Sequence, residues 1–215
     1  MKREREASFP KPVRYVALGD SYAIGEGVAP EDRWPNRLGK ALGEAGIPVE
    51  LVANPSVTGW TSAQLIEHEL PVLEESGASF VTILIGVNDW VQGVTPEEYR
   101  ERLATAIDRV KAVLPDPGKV LLVTIPDFSV TPKGSIYSRG RDIAAGIAGF
   151  NAIINEEAAS RALPVADIFP LSQGLGGAEY VAPDGLHPSG AAYARWLELI
   201  LPVAKRMLIP DSATR

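Results

Sequence analysis

The sequence has no cysteine, and only two histidines and two methionines among its 215 residues. Without cysteine, the chain cannot contain a thiol nucleophile, a disulfide framework or a metal site built from thiolates. No apolar run reaches the roughly 20 residues that a membrane-spanning helix needs, so an integral membrane protein is not expected. Acidic side chains number 27 and basic ones 21, giving a formal net charge of −6. This charge argues against a nucleic-acid partner.

The first residues are charged and are followed by prolines, without the apolar stretch of a secretory signal. We therefore expect a cytoplasmic protein, although a secreted form trimmed of its signal would have the same sequence. The length suits one domain spanning residues 1–215, since domains run to roughly 100–200 residues. Residues 1–12 are expected to be an extended N-terminal segment. The sequence carries no signature of an oligomeric state.

Short apolar segments alternate with longer amphipathic ones along the chain. The short ones are rich in β-branched residues and predict buried strands at 15–18, 49–53, 80–85, 120–125 and 163–168. The longer ones predict helices at about 34–45, 62–75, 96–114, 141–161 and 189–207. This alternation predicts an α/β fold with a five-stranded parallel sheet covered by helices on both faces. The irregular segment 126–140 is predicted to be a loop overhanging a site.

Polar residues follow four of the five predicted strands. They are Gly19-Asp20-Ser21-Tyr22 after the first strand, Gly59 after the second, Asn88-Asp89 after the third, and Asp184-Gly185-Leu186-His187-Pro188 beyond the fifth. In a doubly wound sheet, ligands bind outside the carboxyl ends of the strands. The predicted fold therefore brings these residues together, although more than 160 positions separate the first from the last.

Three of these residue types are the components of a nucleophilic hydrolase. A serine hydroxyl needs a neighbouring base, histidine serves as a base near neutral pH, and an acceptor must hold the histidine in one tautomer. Ser21, His187 and Asp184 are the candidates, and the three-residue spacing of Asp184 and His187 allows contact within one turn. Candidate donors to an oxyanion are the backbone N–H groups of Ser21 and Gly59 and the side-chain amide of Asn88.

The same residues resemble the four sequence blocks of the SGNH (GDSL-type) hydrolases, in order and spacing, over nearly the whole chain. The resemblance implies a flavodoxin-like three-layer α/β/α sandwich, hydrolysis of small-molecule acyl esters, and no metal or organic cofactor. It also implies that Ser21 is the nucleophile, that Gly59 and Asn88 donate to the oxyanion, and that Asp184 and His187 complete the triad. The chain departs from the pattern at Tyr22, where leucine is usual, and at Pro55, where a small residue is commoner.

Several alternatives stay open from the residues alone. Ser21 can simply cap a helix, and Asp184-Gly185 can form an ordinary turn. The same apparatus can act as an acyltransferase or as a carbohydrate acetylesterase. From another class, a flavodoxin-like module can bind phosphate or a nucleotide through Gly25-Glu26-Gly27, but the carboxylates of Asp20 and Glu26 oppose an anion there.

Five aromatic residues are expected near the catalytic edge and either line the substrate pocket or pack the loops: Tyr22, Trp60, Trp90, Phe128 and Tyr137. Asp20 is predicted to be structural, holding the serine loop through backbone hydrogen bonds. The second histidine, His68, stands between Glu67 and Glu69, and this stretch is predicted to form a solvated helix face. Its spacing matches no metal-binding motif.

Overall fold

The computed structural model describes residues 11–209 and contains one five-stranded parallel sheet. The strands are β1 Val13–Gly19, β2 Val49–Ala53, β3 Phe80–Leu84, β4 Val120–Val123 and β5 Val165–Ala166. They lie in the order β2-β1-β3-β4-β5, which is the flavodoxin-like order. The predicted parallel sheet is confirmed, with a fifth strand shorter than expected. Of the predicted N-terminal segment, all but Lys11 and Pro12 falls outside the described residues.

The long predicted helices are present within a few residues of their expected bounds. They are α2 Trp34–Glu44, α6 Pro96–Val113, α7 Ile143–Ser160 and α9 Gly190–Leu208. The helix predicted at 62–75 is divided into α3 Ser62–Gln64, a π-helical turn Leu65–Glu69, and α4 Leu70–Ser76. Three short helices were not predicted: α1 Ser21–Ile24, α5 Val87–Gln92 and α8 Phe169–Ser172. They are too short to show a helical period in the sequence.

The segment 126–140 has no strand or α-helix, as expected. It contains two 3-10 turns, Phe128–Val130 and Gly134–Tyr137.

Helix α6 begins at the residue that its capping sequence predicts. The Thr95 hydroxyl accepts a hydrogen bond from the Glu98 N–H (3.2 Å), and Pro96 occupies the first turn.

Helices cover both faces of the sheet. On one face α2 packs against α9, and on the other α6 packs against α4 and α7. Strands β3 and β4 are buried along their whole length because they lie between these two layers. This arrangement confirms the three-layer α/β/α sandwich. Within the described part of the chain, no helix is both long enough and apolar enough to cross a membrane.

Gly86, directly after β3, is required by its surroundings. Its φ is +127°, and a Cβ there would lie 2.6 Å from the hydroxyl oxygen of Tyr99. That hydroxyl donates to the Ile85 carbonyl (2.8 Å), and the Tyr99 ring stacks on Phe150 at 4.4 Å, so it has little freedom to move. The turn that leads from β3 to α5 therefore depends on glycine.

We expect Gly86→Ala to lower the free energy of unfolding by about 1–3 kcal/mol, through the positive φ and the clash with Tyr99. Urea denaturation measures the change. Gly43→Ala is the matched control, because Gly43 lies in α2 with no atom within 4 Å of the added methyl group. That control is expected to leave stability equal or slightly higher. Equal unfolding midpoints for Gly86→Ala and the parent would contradict the steric argument.

Candidate active site

Ser21 begins the short helix α1, immediately beyond the carboxyl end of β1. The Asp20 side chain caps this helix by accepting the Tyr22 N–H (3.0 Å), and Gly25 ends it in the left-handed conformation. This agrees with the structural role predicted for Asp20. The first N–H groups of a helix have no intrahelical acceptor, so the Ser21 N–H points to the helix N-terminus as a free donor. The Ser21 residue is 5% exposed.

His187 and Asp184 occupy one tight turn between α8 and α9. The turn is closed by hydrogen bonds from the Ala182 N–H to the His187 carbonyl (2.7 Å) and from the Gly185 N–H to the Ala182 carbonyl (2.9 Å). The His187 Nδ1 lies 2.5 Å from Asp184 Oδ2. With the proton on Nδ1, the ring donates to Asp184 and its Nε2 is left as a proton acceptor.

The Asp184 carboxylate is also held by the backbone of its own turn. Its Oδ1 accepts the N–H groups of Leu186 (2.9 Å) and His187 (3.0 Å). Partial burial raises the pKa of Asp184, but the hydrogen bonds from the His187 ring and from these two backbone groups outweigh burial, and its pKa is lowered. Asp184 is therefore an anion near neutral pH, positioned to stabilise a protonated imidazole.

Asn88 lies in the first turn of α5, beyond β3. One contact of its side-chain Nδ2 is a hydrogen bond to the Trp60 carbonyl (2.8 Å), and the other is a long contact to Asp20 Oδ2 (3.5 Å). Gly59 precedes Trp60 in an exposed loop and has a φ of +87°. A Cβ on Gly59 would meet no atom within 4 Å, so its conformation, and not lack of space, favours glycine.

One cleft brings three of the predicted polar residues together. Ser21, Asn88 and His187 line it, and its empty volume is about 320 Å³. The rest of the lining is largely apolar and consists of Tyr22, Val87, Val91, Phe128, Tyr137 and Leu186. Gly59 is in the neighbouring loop and does not line this cleft. The cleft residue Asn88 nevertheless donates a hydrogen bond to the carbonyl of Trp60, which follows Gly59 in that loop. Within residues 11–209, no three histidine, aspartate or glutamate side chains are arranged to hold a metal ion.

Comparison with known proteins identifies the family of the chain. The sequence profile of the GDSL-like Lipase/Acylhydrolase family matches residues 17–195. The chain belongs to this family. Membership confirms the resemblance noted in the sequence and makes the protein a hydrolase that cleaves ester bonds.

Individual relatives match over nearly the whole chain. Esterase TesA from Pseudomonas aeruginosa is 28% identical over 197 residues, which cover 90% of this chain and 88% of that protein. The crystal structure of TesA has a TM-score of 0.73 at 28% identity and covers 91% of this chain and 99% of its own. The lipase/acylhydrolase from Enterococcus faecalis, with a TM-score of 0.70 and 24% identity, covers 94% of this chain and 100% of its own, and shows the shared fold.

The aromatic residues of this GDSL-family hydrolase divide into two groups. Tyr22, Phe128 and Tyr137 line the cleft. Trp90 lies behind Phe128, with ring centroids 5.9 Å apart, and Trp60 packs against His68 at 5.1 Å. The structure thus places both tryptophans in loop packing next to the cleft.

Arg141 ties the overhanging segment to helix α5 of the hydrolase. Its guanidinium lies 3.9 Å from the Trp90 ring centroid and donates to the carbonyls of Trp90 (2.7 Å) and Val91 (3.1 Å). The segment 126–140 meets the cleft through Phe128 and Tyr137, as predicted for a loop overhanging a site. Cation–π contact and two hydrogen bonds from one side chain hold that loop in place.

Two buried acids next to the site, Glu69 and Asp89, were not predicted from the sequence. Glu69, predicted to lie on a solvated helix face, is wholly buried, whereas Glu67 and His68 are exposed as expected. The π-helical turn shifts the phase of the helix, and this places Glu69 inside. Asp89 is also buried and accepts the backbone N–H of Ser62 (2.8 Å) and its hydroxyl (2.5 Å), which joins α5 to α3. For Glu69, the available signal was its position directly before the apolar residues that begin α4.

Proposed function

We propose that the enzyme hydrolyses carboxylic esters through a covalent acyl-enzyme on Ser21, with His187 as the base and Asp184 as the residue that orients it. The main support for this mechanism is the position of Ser21 and His187 in one cleft. The serine at the start of α1 and a histidine bonded to an aspartate line the same cleft, beyond the carboxyl ends of the parallel strands. Family membership favours this function over the phosphate-binding alternative, as does the exposed Glu26 carboxylate in the loop after Ser21.

The proposed reaction has two half-reactions. Ser21 Oγ attacks the ester carbonyl while its proton passes to His187 Nε2, and the resulting imidazolium is stabilised by Asp184. The tetrahedral intermediate collapses, the C–O bond to the alcohol breaks, and His187 returns the proton to the leaving oxygen. Water then attacks the acyl-enzyme in the same way, releasing the acid and restoring Ser21.

Stabilisation of the tetrahedral oxyanion is assigned to the N–H groups of Ser21 and Gly59 and to the amide of Asn88. The Ser21 N–H is supported by its position in the first turn of α1, where backbone N–H groups have no intrahelical acceptor. The Asn88 amide is supported by its anchoring, because one of its protons is donated to Trp60 and the other makes only a long contact to Asp20. An amide held in this way needs little reorganisation during the reaction.

The cleft favours a small substrate with an apolar acyl group. Its empty volume is about 320 Å³, and six of the nine residues around it present apolar or aromatic side chains. A second cavity of about the same volume lies on the other side of Tyr22 and His187, lined mainly by apolar residues such as Leu175 and Trp196. Hydrolysis of nitrophenyl esters from acetyl to dodecanoyl tests the proposal and measures which chain length fits. Transfer of the acyl group to an added alcohol or sugar would instead indicate an acyltransferase.

We expect Asn88→Ala to lower kcat about 100- to 1000-fold with a much smaller effect on KM, because an oxyanion donor acts mainly in the transition state. Steady-state kinetics on the best nitrophenyl ester measures both constants. Gln92→Ala is the matched control, since Gln92 is exposed at the end of the same short helix. A kcat within about twofold of the parent for Asn88→Ala would remove Asn88 from the oxyanion hole.

A further inference from the structure

The turn that carries Ser21 rests on a buried glutamate from another part of the chain. The backbone N–H of Gly19, two residues before Ser21, donates to Glu69 Oε2 at 2.9 Å. Both residues are buried, and Glu69 has no exposed surface. A side chain therefore supplies the acceptor for a backbone group at the end of β1, next to the proposed nucleophile.

The local fold explains why a side chain is needed there and how it arrives. Strand β2 pairs with β1 only as far as Val16, three residues short of Gly19. Glu69 is the last residue of the π-helical turn Leu65–Glu69, which contacts β1. Such turns are uncommon and are often found at functional sites. Here the extra residue in the turn directs a carboxyl group toward the nucleophile loop.

The buried region below Ser21 contains three carboxyl groups. Asp20, Glu69 and Asp89 are all inaccessible to solvent. Arg102 of α6 approaches Asp89 at 3.4 Å, but within the described residues no lysine, arginine or histidine bonds to Asp20 or Glu69. Placing two further negative charges in this region is costly, because burial disfavours the charged form and the two groups repel each other.

These surroundings change the protonation of both acids. Burial, together with the nearby Asp20, raises the pKa of Glu69 to about 8, although the hydrogen bond from the Gly19 N–H opposes the increase. Burial likewise raises the pKa of Asp20 to about 8, with Asp89 adding to it and the Tyr22 N–H opposing it. Around Asp20 stand the buried phenols Tyr22, Tyr99 and Tyr193, whose own pKa values are raised by burial and further by the Asp20 charge.

Within residues 11–209, the Gly19 N–H is the one group that forms a hydrogen bond with the Glu69 carboxyl. Oε1 is buried and has no hydrogen-bond partner among residues 11–209, and the same is true of the Ser56 hydroxyl that faces this carboxyl. The arginines of α6 that pack against the π-helical turn do not bond to the Glu69 carboxyl. Arg109 donates to the Ile66 carbonyl of the turn and to Glu74, and Arg102 binds Glu98 and Asp89.

We propose that Glu69 is a positioning residue for ester hydrolysis: by accepting the Gly19 N–H, its Oε2 holds the turn that presents Ser21. The proposal rests on the proposed role of Ser21. Glu69 touches no reacting atom and acts through the Gly19–Ser21 turn. Its loss therefore alters the presentation of the nucleophile, which affects kcat more than KM.

The raised pKa of Glu69 determines how its contribution to stability depends on pH. The folded-state pKa of Glu69 lies above the value of about 4.3 expected in the unfolded chain. The folded state therefore holds a proton that the unfolded state loses, and this contribution to stability is full below about pH 4 and lost as the pH rises through about 8.

The experiment compares Glu69→Gln and Glu69→Ala with the parent. Glutamine keeps an acceptor for Gly19, so kcat at pH 7 is expected within about threefold of the parent. Alanine removes the acceptor, and kcat is expected to fall about 10- to 100-fold with KM nearly unchanged. Glu67→Gln, an exposed position on the same turn, is the control and is expected to match the parent.

Labelling of Ser21 by a nitrophenyl phosphonate, followed by mass spectrometry, reports on the nucleophile without turnover. The labelling rate is expected to fall with Glu69→Ala by a factor similar to that for kcat, and to be preserved with Glu69→Gln. The proposal is overturned if Glu69→Ala labels and turns over like the parent, or if Glu69→Gln is as impaired as Glu69→Ala. Should the alanine variant not fold, a kcat and a labelling rate of Glu69→Gln that are reduced about tenfold or more overturn it. Ester hydrolysis that survives Ser21→Ala instead contradicts the proposed function itself.

Discussion

Replacing Ser21 with alanine is expected to lower kcat/KM for the best nitrophenyl ester by about a thousandfold or more. The hydroxyl is the group proposed to form the acyl-enzyme, and no neighbouring side chain can take over that covalent step. Among the described residues the Ser21 hydroxyl forms no hydrogen bond, so its removal is expected to change the free energy of unfolding by less than about 0.5 kcal/mol. Activity and stability are thus expected to separate cleanly in this variant.

Two measurements accompany that substitution. Urea denaturation of Ser21→Ala checks that the fold is intact, and phosphonate labelling of the parent locates the modified residue. Ser160→Ala serves as the control, because Ser160 is an exposed serine at the end of α7. If Ser21→Ala hydrolyses the ester at the rate of the parent, Ser21 is not the nucleophile and the proposed mechanism is wrong.

Asp184→Asn is expected to lower kcat by about a thousandfold to ten-thousandfold without disturbing the turn. An asparagine oxygen can still accept the backbone N–H groups of Leu186 and His187. Its amide nitrogen, however, would face His187 Nδ1 and donate to it. The proton of the ring would then move to Nε2, which could no longer accept the proton of Ser21.

The natural control for this substitution is Asp116→Asn. The Asp116 carboxylate also accepts a backbone N–H two residues ahead, that of Gly118 at 2.9 Å, but no histidine is bonded to it. The control separates loss of turn geometry from loss of the histidine tautomer. A further check is the double variant Ser21→Ala with Asp184→Asn, whose activity is expected to be no lower than that of Ser21→Ala alone, because the residues act as a unit. Full activity of Asp184→Asn would contradict the assigned role.

The ionisation of Asp184 also makes the stability of the folded state decrease at low pH. Its pKa is lowered in the folded state, so its contribution to stability is present above the unfolded value of about 3.9 and is lost as the pH falls through the lower folded value. Glu69 behaves in the opposite sense, with its contribution lost as the pH rises through about 8. The two acids thus limit the favourable pH range from opposite sides.

Much of the fold was predictable because most of its strands and long helices have characteristic patterns of neighbouring residues. Strands buried on both faces, such as Phe80–Leu84, are short continuous apolar runs. The start of α6 is indicated by Thr95 as the N-cap and Pro96 in the first turn. The short helices α1 and α5 follow no such pattern. They form because the chain must turn at Gly19 and Gly86, where the sheet ends and close neighbours leave no space for a side chain.

The sequence by itself determined the chemical components of the site: a serine after the first strand, an asparagine after the third, and an aspartate three residues before a histidine. It also determined that they meet, because parallel strands end at one edge of a sheet. Only the tertiary structure decided what lies beneath them. Whether Glu69 faces solvent or the interior depends on one extra residue in a helical turn. Whether Trp90 reaches the cleft depends on its contacts with Phe128 and Arg141. These contacts join segments distant in sequence, and no local pattern of residues predicts them.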